Sequence, residues 1–243
     1  MALAADDLHL WRVSLDIPVA TAGRLPQVLS SDEKSRAAAF HFDIDRNRFV
    51  VARGCLRIIL GLYLKTDPAE IRFIYAAHGK PSIVSPLTPA LDFNVAHSGG
   101  LLLCAITNGC EVGVDLEAIR ADFPADQIAA RFFSASEVAR LRSLPVSEQI
   151  TGFFNCWTRK EAFLKAKGTG LSLTLDQFDV TLAPDEPAVL LRTEWDSHEA
   201  TRWVFKSIDL GADFAAALAF EGHDRTLHYW DLEESRIAYL LAR

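Results

Sequence analysis

Four residues with ionisable side chains have spacings that would bring them together. Asp115 and Glu117 stand two apart in the segment VGVDLE, which predicts a strand. Side chains two apart in a strand point to the same face, so both acids would face one way while the valine and leucine beside them enter a core. The segment WTRKEAFLKAKGTG predicts an amphipathic helix, on which Glu161 and Lys165 stand four apart and share one stripe.

If the strand acids face that helix, three carboxylates converge and the cluster needs a cation. At about 4 Å, each like-charge pair would cost about 4 kcal/mol at an effective dielectric of about 20. Asp115, Glu117 and Glu161 offer oxygen ligands, which suit Mg²⁺ or Mn²⁺ and leave positions for water and phosphate oxygens. Zinc is disfavoured because no Cys/His spacing fits it. Two simpler interpretations stay open: a strand with a solvated polar face, and a Glu–Lys surface pair worth ~0.3–0.5 kcal/mol.

Cationic side chains that could bind an anion accompany this cluster. They are Arg36, Arg48, Arg53, Lys80, His97 and Lys165. The segment His97-Ser98-Gly99-Gly100 predicts a turn between two strands, where backbone N–H groups and the imidazole could meet a phosphate. A turn histidine and a solvated helix face are the simpler interpretations. The sequence has no P-loop or dinucleotide-binding glycine motif and no nucleophile elbow.

The elements that would carry these residues occur in two similar series, offset by roughly 105 residues. The first series begins with a predicted strand at 8–17 and a helix that a capping box of Ser30 and Glu33 opens and that runs to about Phe40. A longer helix is predicted from Arg46 to about Leu64, with Asp45 as its cap and with Gly61 and then Asp67-Pro68 ending it. Strands are predicted at 71–76, 91–96 and 101–107. The second series is predicted as a strand at 112–117, a capping box of Ser134 and Glu137, a helix at 147–167 ended by Gly168, and strands at 178–182, 201–208 and 214–220.

This recurrence predicts an α+β fold with two similar halves, each an antiparallel sheet packed with helices. Residues 1–110 would form the first half and residues 111–243 the second, with a strand and short helix in the tail packing back onto the body. Chance recurrence of capping boxes and long helices is the alternative. Two halves in one chain favour a monomer, because the interface that a dimer would supply is already covalent.

The composition limits the classes of partner. The net charge of −7 argues against a nucleic-acid-binding protein. The first 110 residues hold 11 Lys and Arg against 10 Asp and Glu, and the rest hold 14 against 22, so the first half better suits an anionic ligand. No stretch approaches the ~20 apolar residues of a membrane helix, and the start carries acids where a signal peptide is basic. The four cysteines include no C-x-x-C pair, so we expect a cytoplasmic protein with reduced thiols.

Several segments, taken together and in this order, resemble the 4′-phosphopantetheinyl transferases, specifically the larger two-halved type that activates surfactin synthetase. The matching segments are FNVAHSG at 93–99, VGVDLE at 112–117, FFS at 132–134, WTRKEA at 157–162, then Lys165 and GLS at 170–172, with GKP at 79–81 and the 36–53 region also fitting. The similarity covers most of residues 30–182 and is faint at both ends.

The resemblance implies transfer of the phosphopantetheine arm of coenzyme A to a serine of an apo acyl or peptidyl carrier protein. Asp115, Glu117 and Glu161 would hold Mg²⁺, with Mn²⁺ as the alternative, and Lys165 would neutralise phosphate charge. Glu161, directly or through a metal-bound water, would be the base for the carrier serine. Arg36, Arg48, Arg53, His97 and Ser98 would bind the phosphate region of coenzyme A, and Lys80 the adenylate end. A Mg²⁺-dependent phosphohydrolase and a non-catalytic coenzyme A or carrier-binding module are the alternatives.

Two departures from the family pattern affect the phosphate clamp. Ala96 stands where many members have Ser, and Glu33 stands where some have Lys, with Arg36 able to compensate. The segment DFPADQIAARFF at 122–133 is the predicted carrier surface, with Arg120 and Arg131 as candidates to meet an acidic carrier helix. A connector that contributes to the core is the alternative for this segment.

Overall fold

The computed structural model of the chain describes residues 1–75, 80–83, 91–168 and 173–242. Three predicted features lie outside these ranges: the last residue of the strand at 71–76, Gly79 of the 79–81 segment, and the GLS segment at 170–172. None of the helices in the described ranges is both long and apolar enough to cross a membrane.

The described chain contains helices and strands in alternating groups. The helices are α1 (Val19–Ala22), α2 (Ser31–Ala38), α3 (Asp43–Leu64), α4 (Ala125–Phe132), α5 (Ala135–Ser143), α6 (Val146–Lys167) and α7 (Glu234–Leu240). The strands are β1 (Asp7–Ser14), β2 (Phe73–Tyr75), β3 (Pro81–Ile83), β4 (Leu91–Ser98), β5 (Leu101–Asn108), β6 (Val112–Ala118), β7 (Phe178–Val180), β8 (Leu190–Thr193), β9 (Trp203–Ser207), β10 (Phe214–Glu221) and β11 (Thr226–Asp231).

The sheet of the first half has the strand order β11-β1-β5-β4. Its central pairs are antiparallel, but β11 runs parallel to β1, so the sheet is mixed rather than purely antiparallel. The tail therefore supplies an edge strand to the first half, and α7 follows it with Ile237 fully buried in the same core as α3. The predicted boundary at residue 110 therefore does not separate the two sheets completely, because β11 comes after it and belongs to the sheet of the first half.

The sheet of the second half has the order β6-β10-β9, with both pairs antiparallel. The 22-residue α6 packs across β6 and β10. Gly113 on β6 makes this packing possible, because a Cβ at that position would overlap the backbone of Ala162 and Ala166 on α6. Only glycine permits such a close approach of strand and helix backbones.

Among the residues that the structure describes, three hydrophobic clusters hold the layers together. One lies around α3 and the first sheet, and a second lies around α6 and the second sheet. The third joins buried residues of both sheets, including Leu10, Leu103, Val114 and Leu218. Because the halves share this core, β4 of the first half lies beside β6 of the second, and the Asn94 side-chain oxygen accepts the backbone N–H of Val114 at 3.0 Å.

The α+β architecture with two halves is confirmed, as are several local predictions. Ser30 with Glu33, and Ser134 with Glu137, form capping boxes at the starts of α2 and α5. Helix α6 ends at the predicted place, with Gly168 in the left-handed conformation at φ 65°. Each of these features depends on contacts within one or two turns of chain, which is why the local sequence predicts them.

Two predictions about α3 are wrong. The helix begins at Asp43, so Asp45 lies within its first turn and does not cap it. Gly61 lies inside the helix, and Lys65, at φ 53°, follows its last residue. The glycine serves packing instead, because a Cβ on Gly61 would lie 2.9 Å from the Thr66 carbonyl oxygen, where the chain folds back against the helix.

The predicted turn at 97–100 is also shorter than expected. His97 and Ser98 belong to β4, and the two glycines alone connect β4 to β5. Gly99 and Gly100 have φ values of 57° and 81°, as a tight two-residue hairpin requires. The strand geometry therefore orients the His97 and Ser98 side chains, and the flexibility of a loop is not involved.

We predict that Gly113→Ala destabilises the protein by about 3 kcal/mol or more, because the backbone atoms of Ala162 and Ala166 on α6 cannot move aside for a methyl group. Urea unfolding measures this free energy. Gly109→Ala is the matched control: its added Cβ meets nothing within 4 Å, and the only cost is that of a left-handed φ of 62°, about 1–2 kcal/mol. Equal losses in the two variants would contradict the close-packing argument.

Candidate active site

The centre of the site is an ion pair between β6 and α6. The Lys165 Nζ donates to Asp115 Oδ1 at 2.7 Å and to the Val114 carbonyl at 3.2 Å. Asp115 is only 6% exposed, and its second oxygen, Oδ2, has no hydrogen-bond partner among the described residues. Burial raises the pKa of Asp115 to about 6, although Lys165 opposes this shift. A buried carboxylate oxygen left in this state costs free energy unless a ligand satisfies it.

The other two predicted acids lie within electrostatic reach of Asp115. Glu161 is half-buried on α6, one turn before Lys165, and burial raises its pKa while Lys165 opposes the rise. The charge of Glu117 raises the pKa of both Asp115 and Glu161, and the charge of Glu161 raises that of Asp115. The structure therefore brings together the three carboxylates that the spacing of the sequence predicted.

These three residues fit a hard divalent cation on two grounds. They present several carboxylate oxygens, including Asp115 Oδ2, which has no other partner in the described chain. They also repel one another electrostatically, which a single Lys165 charge only partly relieves. Oxygen-only ligand sets of this kind suit Mg²⁺ or Mn²⁺ rather than zinc.

The end of β4 reaches the same site. The Ser98 hydroxyl donates to Glu117 Oε2 at 3.0 Å and accepts the Ala118 backbone N–H at 3.0 Å, so it fixes the orientation of Glu117. His97 is an exposed residue, but partial burial of its ring and the Lys165 charge lower its pKa, with Glu117 opposing them. His97 is therefore close to both Lys165 and Glu117.

A recess of about 270 Å³ opens next to His97 and Ser98. It is lined by Leu15, Arg36, Phe40, Asp45, Arg48, Phe49, His97, Ser98, Gly99 and Gly100. The Arg36 guanidinium lies over the Phe49 ring at 5.2 Å, and Asp16 holds Arg48 by two hydrogen bonds of 2.8 and 2.7 Å. The recess thus combines two guanidinium groups and an imidazole, which suits a phosphate.

Asp16 is a residue of this site that the sequence did not reveal. It lies just beyond β1, and a Cβ on Gly100 would lie 2.5 Å from its Oδ2, so the glycine turn packs directly against the Asp16–Arg48 pair. A single acid after a strand has no distinctive spacing, and its partner is 32 residues away. Only the tertiary structure links the two.

Arg53 and Lys80 lie outside this recess. Arg53 donates to Glu33 Oε1 at 2.8 Å and to the Tyr75 hydroxyl at 2.9 Å, and it stacks on Phe73. Lys80 donates to Glu111 Oε2 at 2.8 Å and to the Ala166 carbonyl at 3.1 Å. Lys80 therefore lies at the C-terminal end of α6, where its acceptor Ala166 directly follows Lys165 in the chain. Arg53 supports the interior of the first half.

The two departures from the family pattern have structural explanations. Glu33 is 3% exposed and pairs with Arg53 and with Arg57, which is 2% exposed and also binds the Pro68 and Ile71 carbonyls. Its carboxylate is thus part of a closed buried network and does not line the phosphate-sized recess. Ala96 is buried in the hydrophobic cluster between the two sheets, where a methyl group packs without a hydrogen-bond partner.

In the motif WTRKEA, one residue belongs to the carboxylate cluster, and several others make contacts that hold α6 in the fold. Trp157 stacks on Phe153 at 5.9 Å. Arg159 donates to the Thr181 and Ser207 hydroxyls, and Lys160, fully buried, pairs with Glu137 at 2.8 Å. The motif therefore anchors α6 while Glu161 faces the site.

We predict that Glu33→Gln lowers the free energy of unfolding at pH 7 by about 3 kcal/mol or more, because it leaves Arg57 buried without a charged partner. Burial alone would raise the pKa of Glu33, but Arg53 and Arg57 outweigh it and the pKa is lowered from 4.5. The stabilisation is therefore complete above pH 4.5 and is lost as pH falls through the lower pKa of the folded state.

Urea unfolding between pH 7 and pH 3 checks both statements, and the wild type and Glu33→Gln curves should converge on acidification. Asp126→Asn removes the partner of Arg142 in an exposed pair and should leave stability nearly unchanged. A Glu33→Gln loss that stays constant with pH would show that packing, and not charge, carries the effect.

Comparisons with known proteins agree with this geometry. The family model described as 4′-phosphopantetheinyl transferase superfamily matches residues 111–219, and the model described as 4′-phosphopantetheinyl transferase, N-terminal, matches residues 20–108. The chain is 38% identical to the 4′-phosphopantetheinyl transferase HetI of Nostoc sp., over 95% of this chain and 94% of the relative.

Two further relatives extend the comparison. The chain is 31% identical to the 4′-phosphopantetheinyl transferase Sfp of Bacillus subtilis, over 73% of this chain and 78% of Sfp. It is 26% identical to the human L-aminoadipate-semialdehyde dehydrogenase-phosphopantetheinyl transferase, over 82% of this chain and 69% of the relative. The chain, a transferase enzyme built as two halves around the carboxylate and lysine cluster of β6 and α6, therefore belongs to the 4′-phosphopantetheinyl transferase superfamily.

Proposed function

We propose that this enzyme transfers the 4′-phosphopantetheine arm of coenzyme A to a serine of an apo acyl or peptidyl carrier protein, in a Mg²⁺-dependent reaction that releases adenosine 3′,5′-bisphosphate. The names of its relatives support the transfer. The observation that carries the proposal is the buried Asp115 Oδ2, which has no partner in the described chain although it lies among Glu117, Glu161 and Lys165.

In the proposed reaction the serine oxygen of the carrier bonds to the phosphorus that carries pantetheine. The bond between that phosphorus and the bridging oxygen breaks, and the electron pair leaves with adenosine 3′,5′-bisphosphate. Glu161 takes the serine proton as the general base, on a carboxylate oxygen that the cation leaves free. Lys165 has an ammonium group beside Asp115, from which it can donate to a pyrophosphate oxygen.

Asp115, Glu117 and Glu161 would hold the Mg²⁺, which when bound neutralises charge on the pyrophosphate. The Asp115–Lys165 pair keeps both side chains in place before coenzyme A arrives. Ser98 has a positioning role, because its hydroxyl orients Glu117 through the 3.0 Å hydrogen bond. Most of the rate enhancement would come from such preset positions and charges, as is usual in phosphoryl transfer.

The recess next to this cluster would bind the phosphate region of the adenosine end of coenzyme A. Arg36, Arg48, His97 and Ser98 all line it. Asp16 orients Arg48 and leaves Arg36 as the more available guanidinium. Arg53 already binds Glu33 and Tyr75, so we assign it a supporting role, and we keep Lys80 as a candidate for the adenylate end from its place beside Ala166.

The carrier would dock on α4 and the segment before it. Arg120 lies over the Phe123 ring at 4.7 Å and Arg131 over the Phe132 ring at 5.1 Å, and Phe132 is 37% exposed. Phe123 itself packs against Phe153 in the core, so only the outer residues of this segment are available to a partner. A rim of basic groups beside an exposed aromatic ring suits an acidic carrier helix.

We predict that an apo carrier protein incubated with coenzyme A, Mg²⁺ and this enzyme gains one phosphopantetheine, read as intact mass. Glu161→Gln should lower the rate at least about 100-fold, because the base is lost. Glu148→Gln, on the first turn of the same helix and far from the site, is the control and should keep full activity. Adenosine 3′,5′-bisphosphate released without any carrier would favour a hydrolase instead. An unmodified carrier, tested with several carriers, would contradict the proposal.

The docking surface is tested by reversing charge. Arg120→Glu with Arg131→Glu should raise the KM for the carrier about tenfold and leave the KM for coenzyme A unchanged, because rim charges chiefly steer encounter. Steady-state kinetics at low salt measure both constants. Arg236→Glu, on the exposed side of α7, should change neither. An unchanged carrier KM in the double variant would place the docking surface elsewhere.

A further inference from the structure

A second cluster of potential metal ligands lies at the junction of the chain's two ends. The parallel pairing of β1 with β11 sets His9 opposite His228, and Asp7 is the first residue of β1. One ligand atom from each of these three side chains lies within 4.8 Å of the other two. The His228 Nε2 lies 3.1 Å from Asp7 Oδ1, and the His9 Nε2 lies 3.9 Å from Asp7 Oδ2.

A hydrogen bond on the side of the ring away from Asp7 fixes the orientation of His9. Its ring is 4% exposed, and its Nδ1 lies 2.7 Å from the Tyr63 hydroxyl, which also accepts the Trp11 indole N–H at 2.8 Å. The other ring nitrogen, Nε2, therefore points at Asp7 and His228. Hydrogen bonds to the far nitrogen of a histidine are the usual device that orients metal ligands.

We propose that Asp7, His9 and His228 form a zinc site, distinct from the carboxylate site of β6 and α6. Two imidazole nitrogens and one carboxylate suit Zn²⁺, with water as the fourth ligand, whereas Mg²⁺ prefers oxygen ligands alone. Metal–ligand bonds of about 2.1 Å place tetrahedral ligand atoms about 3.4 Å apart, so small rotations of Asp7 and His228 close the present separations. Both side chains are partly exposed, which gives the ion access from solvent.

The place of the cluster in the fold indicates a structural role. His9 is opposite Ile106 of β5, and Ile106 is opposite Phe93 of β4. Phe93 precedes His97 by four residues, so the cluster lies about 13 Å along the strands from the active-site end of the sheet. Zinc there would link β1 to the edge strand β11. Because the zinc ligands come from distant parts of the chain, the ion would hold the tail on the first half.

The sequence alone does not reveal this site because its ligands are far apart. His9 and His228 are separated by more than two hundred residues, so no short Cys/His spacing marks the site. The register of one parallel strand pair creates it. The inference does not depend on the proposed transferase reaction.

The experiment is zinc binding to the metal-free full-length protein, with excess Mg²⁺ added to compete for the carboxylate site. Equilibrium dialysis should give one Zn²⁺ per chain, and zinc should raise the Tm of the wild type. Asp7→Asn and His228→Ala should each weaken binding about 100-fold and abolish the Tm shift. His223→Ala is the control, because His223 is an exposed histidine just before β11 that pairs with Asp6 instead.

Co²⁺ gives a second readout that does not depend on stability. Wild-type protein with Co²⁺ should show the visible d–d absorption of a tetrahedral site, and Asp7→Asn should lose it. The proposal is overturned if both ligand variants bind zinc as the wild type does, or if His223→Ala loses as much affinity as His228→Ala. The Tm of each metal-free variant shows whether it is folded, and Asp7→Asn, nearly isosteric, serves as the ligand variant if His228→Ala does not fold.

Discussion

The close contact of β6 with α6 at Gly113 is the constraint on which the rest of the site depends. Without a Cβ at this position, the strand lies directly on the backbone of Ala162 and Ala166. Two residues further along β6, on the same face, Asp115 consequently meets Lys165, and Glu161 lies one turn before that lysine. A looser contact would separate the carboxylates from the lysine and leave two unrelated polar surfaces.

Around the active site, the charged residues that the structure describes divide into closed networks and one open cluster. Two of the closed networks are buried ion pairs: Glu33 with Arg57, and Glu137 with Lys160. In both, backbone groups make the remaining hydrogen bonds, so the pairs add rigidity and leave no group for a ligand to bind. Asp115 differs because one oxygen stays without a partner in the described chain and its pKa is raised to about 6. Buried acids that a fold leaves incompletely neutralised are typical of functional sites, where substrate and cation complete the balance. The α2 and α3 network and the α5 and α6 network thus hold rigid the two halves that flank the open cluster.

The sequence predicted what depends on short-range pattern. Strand alternation placed Asp115 and Glu117 on one face, the i,i+4 spacing placed Glu161 over Lys165, and both capping boxes were correct. It failed where distant residues decide the outcome. No sequence pattern near Arg48 indicates that Asp16 is its ion-pair partner. Likewise, no pattern near Arg53 shows that its guanidinium is already paired with Glu33. The parallel pairing of β11 with β1 is likewise a long-range event, and it makes the first sheet mixed although the local pattern of every strand is compatible with an antiparallel one.

A crystal structure of the enzyme with coenzyme A and Mn²⁺ tests the central claim most directly, because anomalous scattering locates the ion independently of the protein. The account predicts one Mn²⁺ within about 2.5 Å of oxygens from Asp115, Glu117 and Glu161, with Asp115 Oδ2 as a ligand and the pyrophosphate completing the shell. It also predicts a phosphate of the adenosine end in the recess beside Arg36 and His97. Mn²⁺ held by the coenzyme A phosphates alone, with Asp115 Oδ2 still buried and without a ligand, would contradict the account.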